Sequence, residues 1–254
     1  MSESLVAEVE HWLDRLFIAA EGATLRKEDR RKAIEIAAML LEIEMAAKRL
    51  SRRSPLTLVD AAAGKSYVGL LAARLVFEPA GRTARVITIE ADSHRVESSR
   101  RAVGCLGSSI PIECRVGNVA DAASWPKRPS IVAALHACGP ASDSVIEQAT
   151  RCCAKVLLVV PCCTSRSMEA SARATEEARR LNIPRQAPVR RRFIQAWVDA
   201  ERTRALEAAG YETEVVEFVP PTVTPHNLLW RARRVVDCNP SEAAMESRSS
   251  SLPE

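Results

Sequence analysis

The sequence has no apolar run near the roughly 20 residues that a membrane-spanning helix needs, so no membrane association is expected. It has no CxxC pair. Its eight cysteines include the adjacent pairs Cys152-Cys153 and Cys162-Cys163, spacings that do not close on tetrahedral zinc, so no metal site is expected. It has no GxGxxG, which weakens a dinucleotide-binding reading. Its opening, Met1-Ser-Glu-Ser, is acidic and shows no basic segment followed by an apolar one. A cytoplasmic protein with reduced thiols is therefore the expectation. Strong charge is missing too. Lys and Arg total 36 against 32 Asp and Glu, a net charge of +4, which permits an anionic partner such as RNA without demanding one.

What is present is a soluble, globular composition, 47% hydrophobic and 27% charged. Residues 1–52 read as a helical cap. Leu5, Val9, Trp12, Leu13, Leu16 and Phe17 recur at helical spacing, and a second helix over 27–50 shows Ile34, Ala37, Leu41 and Met45 on one face, with Glu35, Glu42 and Glu44 largely elsewhere. From Pro55 the pattern changes. Short apolar runs at Leu56–Val59, Arg85–Ile89, Ile110–Val116, Ile131–Leu135 and Val156–Val160 alternate with helical stretches. That is the signature of a doubly wound α/β fold with a parallel sheet covered on both faces. A polar, Ala-rich helix and the basic run Arg190-Arg191-Arg192 interrupt the rhythm, and a helix over 193–209 follows. Glu214–Val219 and Leu228–Val236 then read as a closing antiparallel pair. Residues 53–237 form the main domain on this reading, and 238–254, Ser- and Glu-rich without periodicity, are expected to be disordered.

The loop after the first strand runs Asp60-Ala61-Ala62-Ala63-Gly64-Lys65-Ser66-Tyr67. A strand that ends in small residues and turns into a helix lets backbone N–H groups approach a ligand closely. Gly64-Lys65-Ser66 imitates the end of a P-loop, yet Val59 stands where that motif needs its first glycine. The second strand ends in Glu90, where a carboxylate can accept both ribose hydroxyls of a nucleoside. The third ends in Gly117-Asn118-Val119, where a loop Asn also serves as a turn residue.

Together these residues resemble one branch of the class I methyltransferases, whose Rossmann-like, seven-stranded and mostly parallel sheet ends in an antiparallel hairpin. The branch's first motif, approximately D-x-G-A-G-K-G-Y, is met by Asp60 to Tyr67. Its L-H-x-C-G-x-x-x-D signature is met by Leu135 to Asp143, and its P-C-C signature by Pro161-Cys162-Cys163. The branch includes tRNA acceptor-stem 2′-O-methyltransferases and the methyltransferase domain of the glutathione S-transferase C-terminal-domain protein. The resemblance implies S-adenosylmethionine (SAM) as cofactor, held by Asp60, Ala62, Gly64, Tyr67, Glu90, Asn118, Val119 and Leu135. Ala62 and Ser66 replace two of the motif's glycines, which implies altered SAM geometry or lowered affinity. The zinc-binding extension of the tRNA enzymes is not evident.

Methyl transfer needs in-line positioning and, for a weak nucleophile, a base. His136 is the best-placed candidate, and Cys138 and Cys162 lie on the same expected rim, where a thiolate would act as a nucleophile. A structural role is open for each of the three. RNA is the expected acceptor, with Arg190–Arg192 able to meet phosphates. A small-molecule acceptor and a non-catalytic binding module are the alternatives.

Overall fold

The computed structural model describes residues 3–19, 22–161, 163–165, 167–224 and 227–237. Helix α1 (Glu3–Leu13) runs on into a π turn at Asp14–Ile18, and α2 (Lys27–Arg49) follows. Strands and helices then alternate: β1 (Leu56–Ala61), α3 (Tyr67–Ala72), β2 (Ala84–Glu90), α4 (Ser93–Leu106), β3 (Ile112–Val116), β4 (Ile131–Leu135), α5 (Pro140–Arg151) and β5 (Val156–Val160). Helices α6 (Glu169–Arg180) and α7 (Ala187–Ala208) precede β6 (Tyr211–Glu217) and β7 (Leu228–Arg234).

The seven strands pair in the order β3-β2-β1-β4-β5-β7-β6, and β7 alone runs against the rest. This is the Rossmann-like sheet closed by an antiparallel strand that the resemblance implies. Strands buried on both faces must be apolar throughout, and every residue of β5 is buried. The outer strand β6 places Glu212, Glu214 and Glu217 on its length, and charge on an edge discourages pairing with another chain. The pleat divides the core. Leu56 and Leu58 join the side chains of α1 to α4 on one face, whereas Val59 and Ala61 join those of α5 and α7 on the other.

Two expectations need correction. Helix α2 buries Ala33, Ile36, Ala37, Leu40 and Ile43 rather than the face through Ile34, Leu41 and Met45, and Met45 is 41% exposed. The helix is apolar around more than half its girth, so periodicity alone could not choose the inward face; packing on the sheet does. Helix α7 begins at Ala187, with proline in its first turn. Proline is favoured there because its missing N–H would be unpaired in any case. The Arg190–Arg192 run is therefore helical instead of a preceding loop. The 238–254 tail and His226 lie outside the described residues.

Candidate functional site

The strand order reverses between β1 and β4, which opens a crevice beyond the carboxyl ends of these strands. The rim is built from backbone extensions of the sheet. Ala63 N–H donates to Ile89 O at 3.0 Å, Gly117 N–H to Glu90 O at 2.9 Å, and His136 N–H to Val160 O at 2.8 Å. The strand ends at Glu90 and His136 and the loop after β1 are thereby brought to one edge.

The loop after β1 turns by three left-handed residues, Ala62 (φ 53°), Gly64 (φ 58°) and Ser66 (φ 60°). The resembling motif has glycine at all three positions, and the geometry shows why. Alanine and serine are held here where a Cβ crowds the following carbonyl, at about 1–2 kcal/mol per residue. Glycine would relieve that crowding while losing about 0.5–1 kcal/mol of backbone entropy. Ala62→Gly and Ser66→Gly are each expected to stabilise the chain by roughly 0.5–1 kcal/mol in urea denaturation. A loss of stability in both would contradict the strained-loop reading.

Glu90 ties this loop to the start of α4. Its Oε2 accepts from Gly64 N–H at 2.8 Å and its Oε1 from Asp92 N–H at 3.0 Å. Asp92 in turn caps α4, accepting from the N–H groups of His94 (2.9 Å) and Arg95 (3.2 Å). Asp60, 2% exposed, accepts from Gly69 N–H at 2.8 Å. Burial, and after it the nearby Glu90 charge, push its carboxyl up to about 7 against the opposing pull of the Gly69 hydrogen bond. Gly69 was not singled out from sequence. A Cβ there would lie 3.0 Å from the side chains of Thr88 and Val86, so the glycine lets α3 approach the sheet closely enough for its N–H to reach Asp60. A helical glycine nine residues after the strand-end acid was the signal available.

Of the remaining expected residues, Asn118 is exposed and its Oδ1 accepts from Ala120 N–H at 2.9 Å, closing an Asx turn. Val119 is buried on the α5 and α7 face, its carbonyl accepting from Trp125 Nε1–H at 2.9 Å. Leu135 packs on the opposite face. The Tyr67 ring meets Phe17 edge-on at 4.7 Å and lies under Lys32, which ties the loop to the N-terminal helices. Cys138 is disulfide-bonded, as is Cys153, so the expectation of reduced thiols is corrected at both and neither sulfur is a free nucleophile. Cys163 is a free, exposed thiol, and Cys162 lies outside the described residues. Among the described residues no group of three or more His, Cys, Asp and Glu is placed to hold a metal ion.

His136 has a partner that sequence reading missed. Its Nε2 lies 2.9 Å from Oε2 of Glu35, a carboxylate of α2 that is 6% exposed. Glu42, two turns further along α2, forms a two-pronged ion pair with Arg231 of β7, both contacts at 2.7 Å. These acids, expected largely off the helix's apolar face, instead grip the sheet side. Their seven-residue spacing, which places them on one face, was the signal available.

A nucleoside-bearing ligand fits this rim. Glu90 offers a carboxylate at the end of β2, Gly64 has open space where a Cβ would be, and the buried Ser66 hydroxyl has no partner among the described residues. SAM bound here supplies a methyl group on a cationic sulfur.

Comparison with known proteins agrees with this geometry. A methyltransferase-domain family profile matches residues 31–183, more than half of the chain. The chain belongs to that family and is a SAM-dependent methyltransferase. Its fold is similar to that of a protein assigned as an rRNA methylase from Clostridium thermocellum (TM-score 0.53, 11% identity, 80% of this chain and 97% of that one). It is similar also to the SAH-bound magnesium protoporphyrin IX methyltransferase of Synechocystis PCC 6803 (0.51, 9%, 90% and 99%). A third likeness is to the SAH-bound methyltransferase PaMTH1 of Podospora anserina (0.51, 12%, 93% and 89%). No curated protein matches the chain. No helix among the described residues is long and apolar enough to cross a membrane.

Proposed function

We propose that this methyltransferase acts on RNA, with the α6–α7 hairpin as its phosphate-binding arm and residues 1–52 as a cap beside the cofactor. The observation that carries the reading is where the hairpin stands. Arg202, in the C-terminal half of α7, hydrogen-bonds Ser142 Oγ at 2.8 Å and Asp143 Oδ1 at 3.1 Å, in the first turn of α5 just beyond the β4 rim. The part of α7 before Arg202 therefore extends past the rim. Helix α7 has 22 residues, about 33 Å at 1.5 Å per residue, whereas a five-residue strand spans only about 17 Å. Helix α6 accompanies it, since Arg173 pairs with Glu201 at 2.7 Å and Arg190 Nη2 donates to Ile183 O at 2.9 Å. Residues 179–192, at the tip, carry six arginines and no acid. Arg185, Arg191 and Arg192 are exposed. The Leu135–Asp143 and Pro161–Cys163 signatures support the same acceptor class, and an RNA 2′-hydroxyl fits the need for a base at the rim.

Arginines that meet phosphates release counterions, so affinity should fall steeply with salt, by about 0.7 in log slope per contact on single strands. Filter binding of bulk tRNA and rRNA between 50 and 200 mM salt, both chosen as roughly physiological bounds, is expected to show this. The triple variant Arg185→Glu, Arg191→Glu, Arg192→Glu should lower the slope by about 2. Tritiated methyl transfer into extract of a deletion strain should label the RNA fraction. Label confined to small molecules would overturn the RNA assignment and favour a metabolite acceptor.

A further inference from the structure

We propose that Glu35 is a positioning residue that fixes His136 in the Nε2–H tautomer, making Nδ1 the base for a hydroxyl acceptor. The proposal rests on the methyl-transfer reading and adds the acceptor's chemistry to it. Glu35 lies among Ala33, Ile36, Ala37 and Ile43, all buried. A carboxylate placed among apolar side chains costs several kcal/mol unless it is paired. His136 Nε2 at 2.9 Å is the partner that the structure gives it, and its other oxygen, Oε1, is buried without one among the described residues.

An ionised carboxylate only accepts hydrogen bonds, so the facing nitrogen must carry the proton. In a neutral imidazole the lone pair then falls on Nδ1. That atom is also buried and without a partner among the described residues, so its lone pair is not spent on a backbone N–H. The ring is placed at some cost. His136 holds φ 63°, a left-handed conformation in a residue with a Cβ. The β5 carbonyl of Val160 holds it there. His136 follows the last residue of β4 at the rim, beside the strand-order reversal that Asp60 flanks on β1.

The chemistry follows from the pairing. An acceptor hydroxyl gives its proton to Nδ1 as its oxygen gains the methyl group and the sulfonium leaves as a neutral thioether. The imidazolium that results carries both protons, and its charge is balanced by Glu35 across the existing contact. A bare His136 would gain neither the tautomer nor this balance. Glu35 thus extends the site into the N-terminal helices, which a sheet-edge reading alone leaves out.

The test is nitrogen NMR of the four histidines in the wild-type chain, in E35Q and in E35D, each titrated with S-adenosylhomocysteine by calorimetry. Glutamine keeps the shape of glutamate, so folding is preserved. It presents an N–H as readily as an oxygen, so the tautomer preference is released. The wild type should show His136 protonated on Nε2, E35Q should show a mixture in which the Nδ1–H form appears, and E35D should resemble the wild type. S-adenosylhomocysteine affinity should be unchanged in all three. In tritiated methyl transfer to RNA from a deletion strain, E35Q should lose about 10²-fold in kcat with little change in KM. A wild-type His136 protonated on Nδ1, an unaltered His136 spectrum in E35Q, or an undiminished kcat would overturn the proposal. Failure of the wild type to bind S-adenosylhomocysteine would instead tell against the methyl-transfer reading, with the tautomer result still deciding the role of Glu35.

Discussion

Replacing Glu90 by alanine is expected to weaken SAM and S-adenosylhomocysteine binding by on the order of 10²–10⁴-fold. Each hydrogen bond to a charged carboxylate contributes about 1.5–3 kcal/mol, and a nucleoside's two ribose hydroxyls account for two. The variant also loses the contacts from Glu90 to Gly64 N–H and Asp92 N–H, which hold the β1–α3 loop against the head of α4. Ligand acceptor and loop tether are the same side chain. Calorimetry gives the affinity, and circular dichroism checks that the sheet is intact. An affinity within about 3-fold of the wild type, less than 1 kcal/mol, would remove Glu90 from the binding site.

Arg202→Ala is expected to destabilise the chain by about 3–5 kcal/mol, the usual cost of breaking a buried ion pair. The Arg202 side chain is 3% exposed and that of Asp199 14% exposed, the two lying 3.1 Å apart. Removing the guanidinium takes the ion pair from Asp199 and Asp143 and one hydrogen bond from Ser142. At about 2–4 °C per kcal/mol for a chain of this size, Tm should fall by roughly 6–20 °C. The Asp143 of the Leu135–Asp143 signature is thereby explained in part by packing. It anchors the helix pair that carries the basic tip. A change below about 1 kcal/mol would mean that the hairpin is held by its apolar contacts at Met168, Ala170 and Val198 instead.

Much of this was legible in the residues. Strands β4 and β5 matched their sequence bounds because a run such as Val156–Val160 has no polar member to blur its ends. The loop after β1 was legible as a strand-to-helix turn, and the structure joins it to the end of β2 through Gly64 and Glu90. The family resemblance held at the level of the methyltransferase domain. Glu35 was not legible. A glutamate between Ile34 and Ile36 reads as solvent-facing until the helix is rotated against the sheet, and only the packed fold supplies His136 at a separation of 101 residues. The start of α7 was missed for a local reason. Three successive arginines look like a solvated loop, while proline at the first turn permits a helix that propensity alone does not demand.

The buried acid beneath the cofactor loop has a thermodynamic consequence. Asp60 is raised from 3.8 to about 7 in the folded chain, so the native state binds a proton that the unfolded state has released between those values. Its contribution to stability is complete below 3.8 and is lost as pH rises through about 7. At neutral pH the loop therefore sits over a carboxyl balanced between charged and neutral. A cationic ligand held beside it favours the charged form, so filling the site expels a proton to solvent below pH 7. Cofactor affinity and proton release are then two readings of one equilibrium. The heat of binding should change with the ionisation enthalpy of the buffer, and Asp60→Asn should abolish that change.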